Sequence, residues 1–152
     1  MYRWRKSRLE VFLAHPGGPY FAKKDEGDWS VPKGEVDGDE ELLETACREF
    51  EEETGQSVPP NTQFLDLGMI QQKGGKFVHA WAFEGDWDDS RPLKSNTFKL
   101  EWPPGSGKKQ SFPEIDRAEF FSLSKARRKL KQSQVPLIDR LETALSSVII
   151  DN

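Results

Sequence analysis

The stretch from Gly34 to Gly55, GEVDGDEELLETACREFEEETG, limits what this chain can fold into more than any other segment. Leu42, Leu43, Ala46, Cys47 and Phe50 recur at helical spacing and predict an amphipathic helix with one core-facing stripe. Glu49, Glu52 and Glu53 lie three and four residues apart on that helix, which stacks their side chains together. Like charges so spaced repel by roughly 0.2–0.5 kcal/mol per pair, and the last helical turn already disfavours anions. At about 100° per residue, Glu53 falls inside the apolar arc and Glu49 on its edge, where a carboxylate must be paired or coordinated. A hard cation such as magnesium or manganese meets that need. Glu40, Glu41, Glu44 and Glu51 fit an ordinary solvated face.

These residues resemble the Nudix box, G-x5-E-x7-R-E-U-x-E-E-x-G-U, where U is a bulky aliphatic residue. Gly34, Glu40, Arg48, Glu49, Glu52, Glu53 and Gly55 stand at its fixed positions. At roughly 6% background per residue type, seven such matches arise by chance on the order of once in 10⁸ windows. Phe50 and Gln56 depart from the pattern, one aromatic and the other polar where an aliphatic is usual. The resemblance implies that Glu49, Glu52, Glu53 and the main-chain carbonyl of Gly34 bind Mg²⁺ or Mn²⁺. It implies that Arg48 holds one of the glutamates, and that Glu52, or its rival Glu53, acts as general base. Arg48 stands four residues before Glu52, a separation that agrees. Glu40 takes a supporting role. The fold implied is α/β, a Nudix-type α/β/α sandwich around a mixed sheet, spanning residues 1–152 as one domain.

Trp29-Ser30-Val31-Pro32-Lys33-Gly34 precedes the box and resembles the W-x-x-P-K-G lead-in of family members that hydrolyse dinucleoside polyphosphates. Lys33 is expected to set a point charge against phosphate oxygens. Trp29 could stack on a base or fill the space beside the sheet. The resemblance thus implies a metal-dependent pyrophosphohydrolase acting on a nucleoside diphosphate linked to another group, with a dinucleoside polyphosphate favoured. A MutT-type triphosphatase and a non-hydrolytic nucleotide-sensing module are the alternatives. Glu114 resembles a position that supplies some relatives with an additional carboxylate. Lys108 and Lys109, in a glycine-containing loop without Walker spacing, could close over a polyphosphate.

At 152 residues and 17.4 kDa the chain suits one domain with a real core. A net charge of −4 argues against a nucleic-acid polymer as partner. A lone cysteine, Cys47, excludes an internal disulfide and points to a reducing, cytoplasmic setting. No apolar run is long enough to span a membrane, and no signal peptide is evident. Basic clusters at residues 3–8 and 125–131 read as solvated faces. His15 and His79 read as packing or surface residues.

Residues 9–14, 64–71, 76–83, 98–102 and 119–121 read as strands, with a hairpin through Lys73-Gly74-Gly75. Alternation in 77–83 predicts a strand covered on both faces. Asp39 is the expected N-cap of the box helix and Gly55 its terminator. Ser124 is expected to cap a helix running to Leu130, and Pro136 to open a last helix with a Leu137, Ile138, Leu141 and Leu145 stripe. Residues 1–4 look too short for a complete opening strand, a gap that a second chain could fill in a homodimer. Residues 148–150 are expected either to fray or to serve a dimer contact.

Overall fold

The computed structural model describes residues 1–33, 41–87 and 92–150, with side chains described to residue 147 of the last helix. Strand β1 (Tyr2–Arg5) turns into β2 (Arg8–Pro16) through Lys6 and Ser7, whose φ values of 50° and 64° are the paired positive angles of a tight hairpin turn. The opening residues therefore do form a paired strand, in register from Tyr2↔Val11 to Arg5↔Arg8. Tyr2 also makes a parallel bridge to Glu84, its N–H donating to the Phe83 carbonyl at 2.9 Å. Antiparallel and parallel pairing on one short strand gives the sheet its mixed character.

On its other side β2 pairs antiparallel with β7 (Ile115–Ser122). β2 is therefore a central strand, and with side chains packed against both of its faces Val11 through His15 are all buried. Val11 and Leu13 face one core, completed by Ala126, Leu130, Ile138, Leu141 and Leu145. These come from α2 (Leu123–Lys129), the following turn and α3 (Pro136–Ile150). Phe12 faces the opposite way and meets Phe50 of α1 (Leu42–Thr54) and Phe83 in a second core. Two helical layers thus enclose a sheet, as expected. His15 is packed at 0% exposure, with Nδ1 2.7 Å from Asp116 and Nε2 2.6 Å from the Lys24 carbonyl.

Strands β3 (Leu65–Gln71) and β4 (Phe77–Ala82) form the expected hairpin, with Gly74 and Gly75 at positive φ. A bulge between Asp66 and Gly68 frees the Leu67 and Met69 carbonyls, and Arg140 of α3 donates to both. Full coverage of β4 is corrected: Phe77, at the end of the strand next to the hairpin turn, is 62% exposed. A further hairpin joins β5 (Thr97–Glu101) to β6 (Lys109–Pro113), a strand the sequence pattern did not announce. The glycine-lysine loop is its tip, where the Gly107 N–H donates to Glu101 at 2.7 Å.

Two helix starts differ from expectation. Ser122, not Ser124, accepts from the Lys125 N–H at the head of α2, since β7 runs directly into the helix. Described α1 begins at Leu42 with Glu41 in the cap position; Asp39, like Glu40 and Gly34, lies outside the described residues. No helix among the described residues is long and apolar enough to cross a membrane.

Gly55 ends α1 with φ 80°, and a Cβ there would lie 2.7 Å from the Lys94 Cβ. Gly27 has φ 82°, and a Cβ there would meet no atom of the described residues within 4 Å. Gly55→Ala is therefore expected to lose more than the ~1–2 kcal/mol that left-handed backbone alone costs, and Gly27→Ala about that amount, by urea denaturation. Gln56 stands where an aliphatic is usual, and its Nε2 is buried without a hydrogen-bond partner among the described residues. Gln56→Leu should raise stability by about 1 kcal/mol in the same assay.

Candidate active site

The lead-in segment is fixed before it reaches the helix. Ser30 exchanges two backbone bonds with Ala14 of β2, at 2.8 and 2.9 Å. Trp29 donates to the Lys129 carbonyl at 3.0 Å and accepts from the Lys131 N–H at 2.9 Å. Fully buried Gln134 accepts from the Val31 N–H at 2.9 Å and donates from Nε2 to the Ser30 hydroxyl. Pro32 supplies no ladder donor and releases the chain from the sheet. Lys33 then donates its backbone N–H to Glu53 Oε2 at 3.0 Å.

On α1, Glu49 and Glu52 share Arg48. Arg48 sets one Nη1 2.9 Å from both oxygens of Glu52 and 3.1 Å from Glu49 Oε1. That is the four-residue pairing expected of it. Burial pushes the Glu53 carboxyl up to about 8; Glu49 and Glu114 push the same way, while the Lys33 N–H and charge oppose them. Burial also raises Glu49, helped by Glu52 and Glu114 and opposed by Arg48.

Glu114 reaches this group through a segment that sequence reasoning passed over. The last carbonyls of a helix lack internal partners, and here Asn96 N–H donates to the Glu52 carbonyl at 2.9 Å and Lys94 N–H to that of Thr54 at 3.3 Å. The Asn96 carbonyl in turn accepts from the Glu114 N–H at 2.8 Å. One short polar stretch thus stops the helix and brings the fourth carboxylate to it. Its only signal in the sequence is polarity between two strands, which any loop shares.

Lys131 was grouped with the solvated basic residues, but the Trp29 pairing carries it inward. Burial lowers its ammonium, and Lys33 nearby lowers it further. Arg3 also leaves that group, with its guanidinium on Glu10, Asp86 and the face of Phe120. Two substrate contacts expected from sequence are not brought to the carboxylates. Trp29 is 1% exposed, its indole N–H on Asp25 and its ring against Phe121 and His15, which is the space-filling alternative. Lys108 stands exposed at the outer end of the β5–β6 hairpin. That end is four strand steps from the base, about 13 Å at the rise of a strand.

Among the described residues, no three His, Cys, Asp or Glu side chains converge in metal-holding geometry. The chemistry of the donor set nevertheless suits a hard cation. Glu114 raises the proton affinity of both Glu49 and Glu53, and Glu49 that of Glu53, so the group is short of positive charge despite Arg48 and Lys33.

The raised Glu53 carboxyl has a consequence for stability. Above its ordinary value of 4.5 the unfolded chain gives up this proton, while the folded chain keeps it to about 8. Stability without metal must then fall as pH rises across that window. In the Glu53→Gln variant this contribution should vanish. Urea denaturation in EDTA at pH 5 and pH 8 measures it: the wild type should lose more stability over that interval than the variant.

Several solved structures share this architecture. A C. elegans Ap4A hydrolase binary complex is 20% identical, with a TM-score of 0.58 over 96% of this chain and 93% of that one. A mutT/nudix family protein from Listeria innocua is 16% identical, with a TM-score of 0.64 over 99% and 92%. The NUDIX domain of Shewanella oneidensis NrtR, solved with ADP ribose, is 18% identical, with a TM-score of 0.57 over 95% and 82%. No curated protein matches the chain. At these identities the solved structures speak for the fold, while the NUDIX domain profile matches residues 5–141 directly. That match spans most of the chain, which therefore belongs to the NUDIX domain family.

Proposed function

We propose that the chain is a single-domain, metal-dependent pyrophosphohydrolase that cleaves a nucleoside diphosphate linked to another group. The observation that supports this reading is the pair of contacts that ties Glu53 to the Lys33 N–H and Glu49 and Glu52 to the Arg48 guanidinium, with Glu114 acting electrostatically on Glu49 and Glu53. Glu49, Glu52 and Glu53 would hold Mg²⁺ or Mn²⁺, joined by the Gly34 carbonyl, which lies outside the described residues. Bound there, the metal supplies polarisation of phosphoryl oxygens and acidification of water.

The chain's own residues do the rest. Glu52 accepts the proton of the water that attacks phosphorus, with Glu53 the other candidate. The water oxygen forms the new P–O bond, the bridging P–O bond breaks, and both products carry phosphate ends. Arg48 keeps Glu52 oriented toward the site. Lys33 and Lys131, which already repel each other, gain an anionic partner when a polyphosphate lies between them. Trp29 supports the lead-in from the core. Glu114 adds charge density near the cation.

A dinucleoside polyphosphate is the favoured substrate. The Trp29 to Gly34 lead-in supports it, as does the structural likeness to the Ap4A hydrolase. The acidic balance of the chain favours a small molecule over a nucleic-acid polymer.

Glu52→Gln is expected to lower turnover by about 10²–10⁴-fold, the usual contribution of a general base, with the fold and nucleotide affinity retained. The assay is a magnesium-supplemented panel of dinucleoside polyphosphates, nucleoside triphosphates and nucleotide sugars, with products resolved by chromatography. Retained turnover in the variant removes Glu52 from its role. Binding without cleavage of any substrate by the wild type turns the reading into a sensing domain.

A further inference from the structure

The β5–β6 ribbon leaves one edge open. Trp102 N–H donates to the Lys108 carbonyl at 3.0 Å, and Glu114 N–H to the Asn96 carbonyl at 2.8 Å. Backbone groups alternate in direction along an antiparallel ladder, so the even-numbered residues of β5 turn theirs toward β6. Thr97, Lys99 and Glu101 then point theirs outward, and all three are exposed. Pro113, which has no N–H, stands opposite Thr97, where this ladder asks for no donor. Among the described residues, no backbone group outside the ribbon bonds to Thr97, Lys99 or Glu101. On the β6 side the chain covers its own base, where Gly17 N–H donates to the Glu114 carbonyl at 2.8 Å. On β3, Arg140 occupies the Leu67 and Met69 carbonyls.

An open edge is a template for another strand. We propose that β5 is the contact between two copies of this chain, the two strands running antiparallel about a twofold axis at Leu100. Register is the first argument. Since the outward groups belong to odd-numbered residues, bonds form only where odd residues face odd residues. A pairing centred on Lys99 sets lysine against lysine, and one centred on Glu101 sets glutamate against glutamate. Centred on Leu100, each Lys99 meets the partner's Glu101, and symmetry repeats the match. Opposite charges directly across a sheet stabilise it, and like charges destabilise it. An edge lysine alone repels a second strand; Glu101 two residues along reverses this in that one register. Lys99 makes no ion pair with the described residues, and Glu101 accepts from the Gly107 N–H through Oε1, which leaves Oε2 for the pairing.

The apolar face is the second argument. Alternation sets Phe98, Leu100 and Trp102 on one side of the ribbon. The same register puts Leu100 against its own counterpart and Phe98 against Trp102, pairs that add to sheet stability. Within one chain this face meets Gly18 beneath the Phe98 ring and Tyr20 edge-on to Trp102 at 5.3 Å, and Tyr20 is still 58% exposed. Pro103 and Pro104 end the pairing where the strand ends. So short an edge falls below the standard interface of roughly 1,200–2,000 Å², which makes the association weak and dependent on concentration. Reversal of the strands also lays the Lys108–Lys109 tip of each ribbon beside the base of the other, the end that Asn96 ties to α1.

Sedimentation velocity of the full-length protein, over a series up to about 1 mM, reads association in this weak range. Wild type should shift from monomer toward dimer as concentration rises. Lys99→Glu sets glutamate against glutamate at both symmetric positions and should weaken association at least tenfold. Glu101→Lys sets lysine against lysine and should do the same. An equal mixture of these two variants restores opposite charge at every opposed position, and it should associate to within threefold of wild type. Lys99→Pro removes an outward N–H without touching the β6 ladder. It should stay monomeric with the circular dichroism of wild type, and it decides the matter if Glu101→Lys, which gives up the Gly107 bond, does not fold. A wild type that is monomeric throughout, dimers retained in Lys99→Glu or Lys99→Pro, or a mixture of folded variants that fails to associate overturns the proposal.

Discussion

The anchoring of residues 29–31 is the constraint on which the rest of the site depends. Three separate parts of the chain hold these residues: Ala14 on one side, the 129–131 stretch on the other, and the Gln134 amide at the end. Each bond lies between groups that would otherwise be buried without partners, where loss of one costs roughly 1–3 kcal/mol. Trp29 fills the space beneath, its ring edge-on to both His15 and Phe121. With that much of the lead-in immobile, Pro32 and Lys33 have little freedom, and the Lys33 N–H meets Glu53 from a fixed direction.

What is fixed there is an electrostatic imbalance. The helix buries an acid on its inner edge, adds two more within one turn, and a fourth arrives from another part of the chain. Arg48 offsets some of the repulsion while holding Glu52, but burial still dominates at Glu53 and Glu49. A purely structural helix would have placed neutral residues at those positions. The fold tolerates the imbalance because Phe50 anchors the same helix between Phe12 and Phe83.

The sequence made regular features legible and left relayed ones hidden. Strand β2, the β3–β4 hairpin, the Gly55 stop and the α3 stripe each follow from a local pattern that one face of one element must satisfy. The Arg48 to Glu52 pairing is equally local. Strand β6, Lys-Gln-Ser-Phe-Pro, carries neither alternation nor a run of β-branched residues, and it exists because β5 lies opposite it. Lys131 looked like one of several basic residues until pairing with Trp29 turned it inward. Exposure of Phe77 reflects its place at the strand end next to the turn, where alternation no longer implies cover. Asn96 is the clearest case, since its part in the site consists only of backbone bonds, which any residue type but proline could make.

Among the described strands the β5–β6 ribbon pairs with itself alone, yet its base carries the bonds that draw Glu114 toward α1. Register there is set at Thr97↔Pro113, independently of how far the two strands continue. Because side chains alternate with a period of two, the ribbon can grow or shrink by matched pairs of residues without turning a face inside out. Its outer end is thus a module whose length can change while the carboxylates at its base stay where they are.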